Sequence, residues 1–307
     1  MAYVVGDVIS AADINGFIST NTDDVNAIYS TGSGDSGYGQ TALTTVAVGD
    51  IIEASDWIPL LEAIRDMANH QGTSITSRTD PSVGTLVSIF SNIQTDITSC
   101  TTNRRNAANQ SGTSSTSGTN TADWSNNLVF TCAVTFATGD AARFYFNAGG
   151  QIGISASHTT IANKIDSLIS DMCSDMGTVW LSSGTATLNS TAYTGTTKVG
   201  GANPSGATVT TGTSFYNTGN MIKQFGDVEY TGGSTNNYYY NTGTFINVAV
   251  AVSGATVTFT VTLDEVPNGA MVTNDTTVTV TLRPPSTTHL PTNSWGTPSV
   301  SVTSTAT

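Results

Sequence analysis

Charge is what this chain has least of. Of its 307 residues only 10% are Asp, Glu, Lys or Arg, against roughly 25% in an ordinary soluble domain. Lys and Arg are the scarcest, nine in all against 22 acids, for a net charge of −13. A nucleic-acid partner needs clustered positive charge to neutralise its phosphates. The only adjacent basic pair, Arg104-Arg105, falls at the polar end of a predicted helix and reads as solvated. Nucleic acid is therefore excluded as a partner.

Cysteine and histidine are nearly as rare. Cys100, Cys132 and Cys173 stand far apart, with no CxxC or Cys/His spacing for zinc. Each sits in an apolar pattern and reads as a small buried hydrophobe. His70, His158 and His289 form no HxH or HxxxH pair. His70, in a phrase that closes a repeat, reads as a cap or turn residue. Long apolar runs are missing too. The longest, residues 246–252, is broken by Asn247 and is too short to cross a bilayer, so no membrane is expected as a partner. The opening Met1-Ala2-Tyr3-Val4-Val5-Gly6-Asp7 lacks the basic region and apolar core of a secretory signal, and a soluble product is expected.

Catalytic signatures are equally thin. There is no GxSxG elbow and no P-loop. Gly32-Ser33-Gly34-Asp35-Ser36-Gly37 does spell GxGxxG, but that motif holds a dinucleotide only between a strand and a helix. Here it follows a predicted helix and precedes Tyr38-Gly39-Gln40-Thr41, so it reads as a turn. Asp264-Glu265, Asn268 and Asn274-Asp275 could gather oxygen ligands for calcium, but without EF-hand spacing they read as a solvated loop. No catalytic residue, cofactor or metal is nominated.

What is present is a repeated phrase. Val5-Gly6-Asp7-Val8-Ile9-Ser10-Ala11-Ala12-Asp13 returns as Val48-Gly49-Asp50-Ile51-Ile52-Glu53-Ala54-Ser55-Asp56, and a looser third copy begins at Val83-Gly84-Thr85-Leu86-Val87. The last two copies also end alike, in Asn69-His70-Gln71-Gly72 and Asn109-Gln110-Ser111-Gly112. Repeats of this size stack because none buries its apolar face alone.

Periodicity gives an α+β chain. Ile14, Ile18, Asn21, Val25 and Ile28 step by four and three, the seam of a coiled-coil-like helix. Trp57, Leu60, Leu61, Ile64 and Met67 line a second helix, with Pro59 in its first turn. Leu86, Phe90, Ile93, Ile97, Cys100, Arg104 and Ala107 line a third, whose seam turns polar at Arg104, where it is expected to fray or meet another chain. Residues 111–120 read as a linker or ordered loop.

A hairpin is expected next, with residues 128–136 and Arg143-Phe144-Tyr145-Phe146 as strands, Asn147-Ala148-Gly149-Gly150 as the turn and Gln151-Ile152-Gly153-Ile154 returning. Thr159 or Thr160 opens an amphipathic helix with Ile161, Ile165, Leu168, Ile169, Met172 and Met176 inward, closed by Gly177. Residues 245–252, 255–263 and 276–282 alternate as strands of an antiparallel β-sandwich, with threonine on the outer face. The predicted domains are thus 1–115, helical repeats for docking and oligomerisation; 116–180, hairpin plus helix; and 181–307, a Thr-rich β-sandwich.

With the repeat, Gly37-Tyr38-Gly39-Gln40 and Phe146-Asn147-Ala148-Gly149-Gly150 in view, the chain resembles a group of virion structural proteins of tailed, cyanophage-like bacteriophages. Members carry a Gly-Tyr-Gly-Gln block, a Val-Gly-Asp phrase leading to Trp, a His-Gln-Gly, a Phe-Asn-Ala/Ser-Gly-Gly stretch and a Thr-rich β tail. These match residues 37–40, 48–57, 70–72, 146–150 and the C-terminal third. The resemblance covers about two thirds of the chain and brings no catalytic residues with it. It implies a decoration, neck, tail or fibre component.

The expectation is a non-enzymatic virion protein, assembled in the host cytoplasm. Its partners would be itself, as a trimer by analogy with phage appendages, and other virion proteins. Ile14, Ile18, Asn21, Val25, Ile28, Leu86, Phe90, Ile93, Ile97 and Cys100 are the candidate oligomer seam, with Asn21 and Arg104 setting register. Tyr238, Tyr239 and Tyr240 cannot all face inward in a strand and form a candidate contact surface, for a neighbouring subunit or a host-surface glycan. Two other classes compete: a bacterial surface or S-layer-like adhesin, and a carbohydrate-binding module.

Overall fold

The computed structural model describes residues 10–19, 24–82, 92–201, 208–209, 221–225, 244–265 and 271–306. Within them, the repeated phrase is a helix start. Helix α1 (Ala11–Ile18) opens at Ser10 and α3 (Ala54–Gln71) at Glu53. In both, the carboxylate three residues on accepts the N-cap N–H: Asp13 Oδ2 from Ser10 and Asp56 Oδ2 from Glu53, each at 2.7 Å. An acid there satisfies an orphan donor and meets the positive end of the helix dipole. The third copy lies outside the described residues.

The expected seam differs from a single long helix. Helix α1 ends at Ile18, and a separate short helix, α2 (Val25–Tyr29), follows. Ile14, Ile18, Val25 and Ile28 still converge, and with Ile93, Ile97 and Cys100 of α4 (Ile93–Thr102) and the Trp57 face of α3 they are at most 2% exposed. These seven seam side chains are thus covered by their own chain, in an intrachain core. Asn21, Leu86 and Phe90 lie outside the described residues. Pro59 falls in the second turn of α3 rather than its first, because the helix begins at Ala54.

Among the described residues, two antiparallel sheets join the helices in an α+β fold. The first runs β1 (Ser114–Thr119), β10 (Thr276–Arg283), β3 (Gln151–His158), β4 (Thr178–Leu188), β5 (Thr191–Val199). The second runs β11 (Ser299–Ala306), β2 (Asn127–Thr135), β9 (Thr256–Asp264), β8 (Phe245–Ser253), β7 (Met221–Phe225), β6 (Thr208–Val209). Val257, Phe259, Val261 and Leu263 of β9 are buried, and the threonines between them face outward, as the alternation requires.

Three expectations fail here for identifiable reasons. Residues 143–146 belong to helix α5 (Gly139–Asn147), capped by the Thr138 hydroxyl, which accepts the Ala141 N–H at 3.0 Å. Phe136, Tyr145 and Phe146 stack edge to face at its core side, so the aromatic run that suggested a strand is packed as a helix. Residues 128–136 and 151–154 accordingly lie in different sheets and form no hairpin. Residues 114–119 form strand β1, built on pairing with β10 rather than on apolar alternation. Helix α6 (Lys164–Met176) starts later than expected, at the Asn163 cap, and leaves Ile161 53% exposed.

Strand β3 pairs with β10, and β2 with both β9 and β11. The expected boundary at residue 180 therefore runs through both sheets. Among the described residues the main core extends contiguously from Ile14 to Trp295, and Ala107, Trp180, Ala186, Leu188 and Tyr193 form a second, small cluster.

Candidate functional site

The described structure brings the most distinctive sequence motifs to one place. Loop 32–40 turns through four glycines of positive φ, Gly32, Gly34, Gly37 and Gly39. At Gly37 a Cβ would lie 2.2 Å from the Thr31 carbonyl oxygen, and at Gly39 it would lie 2.4 Å from Ser294 Oγ and 2.5 Å from Phe144. Only glycine fits either point. Between them Tyr38 is fully buried. Its hydroxyl donates to the Arg104 carbonyl at 2.6 Å and accepts from Gln71 Nε2 at 2.8 Å, and its ring meets His70 edge-on at 5.2 Å.

His70 and Gln71 reach this point because α3 closes at Gly72, whose φ of 71° is a left-handed C-cap. His70 Nε2–H donates to the Ala148 carbonyl at 3.1 Å. Gln110, which holds the matching place in the second repeat ending, donates from Nε2 to the next carbonyl, Gly149, at 2.6 Å. The two repeat endings thus grip successive carbonyls at the α5–β3 junction. Burial lowers the His70 pKa to about 4, against the raising effect of its bond to Ala148, so the imidazole is neutral at pH 7.

The third motif closes the junction. Asn147 Nδ2 donates to the carbonyls of Ser36 at 2.9 Å and Gly34 at 3.2 Å. Arg143 donates to the carbonyls of Ser36 at 2.5 Å and Thr31 at 2.7 Å. Asp35, at the tip of the GxGxxG turn, takes both Arg104, at 2.6 Å, and Arg105. Burial works against that carboxylate, but the two guanidiniums hold its pKa below the usual value. The arginine pair expected to be solvated is ion-paired and about one quarter exposed. It lies past the end of α4, where it meets this loop of its own chain.

A second buried constellation was not legible in the sequence. His158 ends β3, Thr276 starts β10 and Asp166 lies in the first turn of α6. Asp166 Oδ1 is 3.4 Å from His158 Nε2, and His158 Nδ1 is 3.0 Å from Thr276 Oγ1. Carboxylate, imidazole and hydroxyl in this order are the parts of an acyl-transfer relay. Here all three residues are at most 3% exposed, so no substrate reaches the hydroxyl. Asp166 also accepts from Ala162 N, Asn163 N, Thr273 N and Thr273 Oγ1, at 2.8 to 3.1 Å. The set fastens α6 to the strand ends.

Among the described residues, no group of three or more His, Cys, Asp or Glu gathers as a metal site. Asp275 instead accepts from the Thr159 and Thr160 hydroxyls, which hold its pKa below the usual value. The Glu265 carboxylate is buried and neither of its oxygens has a hydrogen-bond partner among the described residues, while burial, helped by Asp264, pushes its pKa up to about 7. Asn268 and Tyr238, Tyr239 and Tyr240 lie outside the described residues. The three cysteines are free and buried, and burial pushes each thiol up to about 12.

A cavity of about 190 Å³ lies beside α3, lined by Leu61, Ile64, Arg65, Asn69 and residues 75–78. Its two cations are already neutralised, Arg65 by Asp80 at 2.6 Å and Arg78 by Asp96 at 2.5 Å.

No family model, curated protein or solved structure matches the chain. The site must be read from its own geometry. That geometry is a sealed junction in which polar side chains satisfy backbone groups from distant parts of the sequence.

Proposed function

We propose that this chain is a non-enzymatic structural component of a tailed-phage virion, a self-assembling appendage or decoration protein. The helical part docks, and the two sheets, packed as a β-sandwich, project. The observation that carries this reading is the convergence of the Gly-Tyr-Gly-Gln, His-Gln-Gly and Phe-Asn-Ala-Gly-Gly motifs on one buried junction. The residues on which the resemblance rests are spent on holding the fold together. The sealed state of the Asp166–His158–Thr276 relay also favours architecture over turnover. The outer faces add to this, since β2, β8 and β9 present Thr, Asn and Ala together with Val129 and Phe245, β11 adds exposed Ser and Thr, and the one acid is Asp264 at the end of β9. Interface cores are depleted in charge in the same way.

The test is composition of the particle. Virions banded in a density gradient should carry the chain at a constant ratio to the major capsid protein across the peak, by quantitative mass spectrometry. A ratio that drifts across the peak, or a chain confined to the soluble fraction, contradicts the proposal.

A further inference from the structure

The four sheet edges are not alike. Exposed edge strands invite pairing with another chain, and proteins blunt them with short strands, lysine, proline or bulges. Strand β6 has two residues, and β5 contains Lys198 and runs beside a register shift in β4. Strands β1 and β11, six and eight residues long, have no charge, no proline and no bulge. These two unguarded edges lie together. A Cβ on Gly118 would stand 2.6 Å from Val302 Cγ1.

Strand β1 is the more open of the two at its N-terminal half, where Ser114 to Ser117 are exposed on both faces. Among the described residues, no strand pairs with its outer edge. Its outward hydroxyls already form rungs to β10: Ser115 to Thr281 at 3.0 Å, Ser117 to Thr279 at 2.8 Å and Thr119 to Thr277 at 2.7 Å.

We infer that β1 pairs antiparallel with β1 of a second copy of this chain, about a two-fold axis, to make one sheet across two protomers. This deepens the self-association proposed above and rests on that reading for the partner's identity. Opposed residues in an antiparallel pair share a face. Ser115 and Ser117 therefore meet the second copy's outward hydroxyls, and the rungs continue across the axis. Ser114 and Thr116 meet their counterparts on the inner face. Charge selects the same place. Two copies at −13 each repel, while residues 106–122 contain no charged side chain at all. The pairing is two-fold, in place of the three-fold arrangement expected by analogy.

Light scattering on the full chain tests this. The wild type should have twice the 31.7 kDa chain mass. Ser115→Lys and Ser117→Lys place like charges opposite each other at the axis and should halve that mass. Thr131→Lys adds the same charge to an exposed position on β2 and should leave the mass unchanged. Circular dichroism spectra matching the wild type verify that each variant is folded. Amide exchange in residues 114–119 should slow with concentration in the wild type only.

A wild type of single-chain mass at every concentration overturns the pairing, as does an assembly that survives both lysines. Neither result touches the particle-composition test. Conversely, a lysine-sensitive dimer absent from banded virions would keep the pairing and end the virion reading.

Discussion

Gln40 and Thr292 exchange two hydrogen bonds. The Gln40 amide donates to the Thr292 carbonyl at 2.9 Å and accepts its N–H at 2.9 Å, as two paired strand residues would. The same side-chain substitute for a strand recurs twice nearby. Asn15 exchanges bonds with Val46, at 2.9 Å each way, and Asn26 with Leu43, at 2.9 and 2.8 Å. Amide side chains thus hold the extended segment after the glycine turn against α1 and α2 and against the C-terminal region. Gln40→Leu should lose about 1–2 kcal/mol of stability, the net worth of one or two such bonds. Urea unfolding checks it, and a midpoint equal to the wild type's would show that the clamp contributes nothing.

Tyr38→Phe keeps the buried ring and removes only the hydroxyl that bridges Gln71 and Arg104. The buried Gln71 amide and the half-buried Arg104 carbonyl lose this partner, at a cost of about 1–3 kcal/mol. Tyr38→Leu should cost more, because it also removes the edge contact with His70. Equal losses in the two variants would place the energy in the hydroxyl's hydrogen bonds alone and leave none for the ring contact.

Gly39→Ala should be far worse than Gly49→Ala. Both positions have positive φ, 70° and 99°, so both carry a backbone penalty of about 1–2 kcal/mol. At Gly49 nothing stands within 4 Å of the added methyl, whereas at Gly39 it meets Ser294 and Phe144. Thermal melts of the pair separate the two terms. Similar melting temperatures would contradict the close approach.

His70 sets a pH dependence whose sign is fixed. Its folded pKa, lowered by burial to about 4, lies below the unfolded value of 6.5. The unfolded state binds more protons between these values, so the contribution is full above about pH 6.5 and lost as pH falls toward 4. Glu265, raised to about 7, acts in the opposite sense from about pH 4.5 upward. The comparison of His70→Gln with wild type isolates the histidine, since glutamine already makes the matching bond at position 110. The variant's stability should fall less between pH 7 and pH 4. Parallel curves would mean that His70 does not titrate on unfolding.

Some of this was legible because local chemistry decided it. The repeated phrase contains both halves of a helix start, Ser10 with Asp13 and Glu53 with Asp56, within four residues. In β9 and β10 the alternation of Val, Phe and Leu with Thr is the pleat itself. Helix α5 does not stand out as a helix because its polar stripe is only Asp140 and Arg143, while the run Phe144-Tyr145-Phe146 favours a strand. Strand β1 was missed for the opposite reason. Ser114–Thr119 has no apolar side chain, and its order comes from β10, far away in sequence.

The junction was legible only as motifs. Gly37-Tyr38-Gly39-Gln40 and His70-Gln71-Gly72 were recognisable as phrases, but no local rule brings Tyr38 onto Gln71 or Asn147 onto Ser36. The one available signal was the repeat itself, which puts His70 and Gln110 in equivalent places and so gave them equivalent acceptors. The Asp166–His158–Thr276 set left no trace at all, because its spacing is made by α6 crossing the ends of β3 and β10.

The most direct test of the structural role is gold-labelled antibody against this chain on intact particles, viewed by electron microscopy. The account predicts label on the virion, at the tail or its fibres for an appendage and over the capsid for a decoration protein. Particles that stay bare, while the chain is found elsewhere in the same lysate, would contradict it.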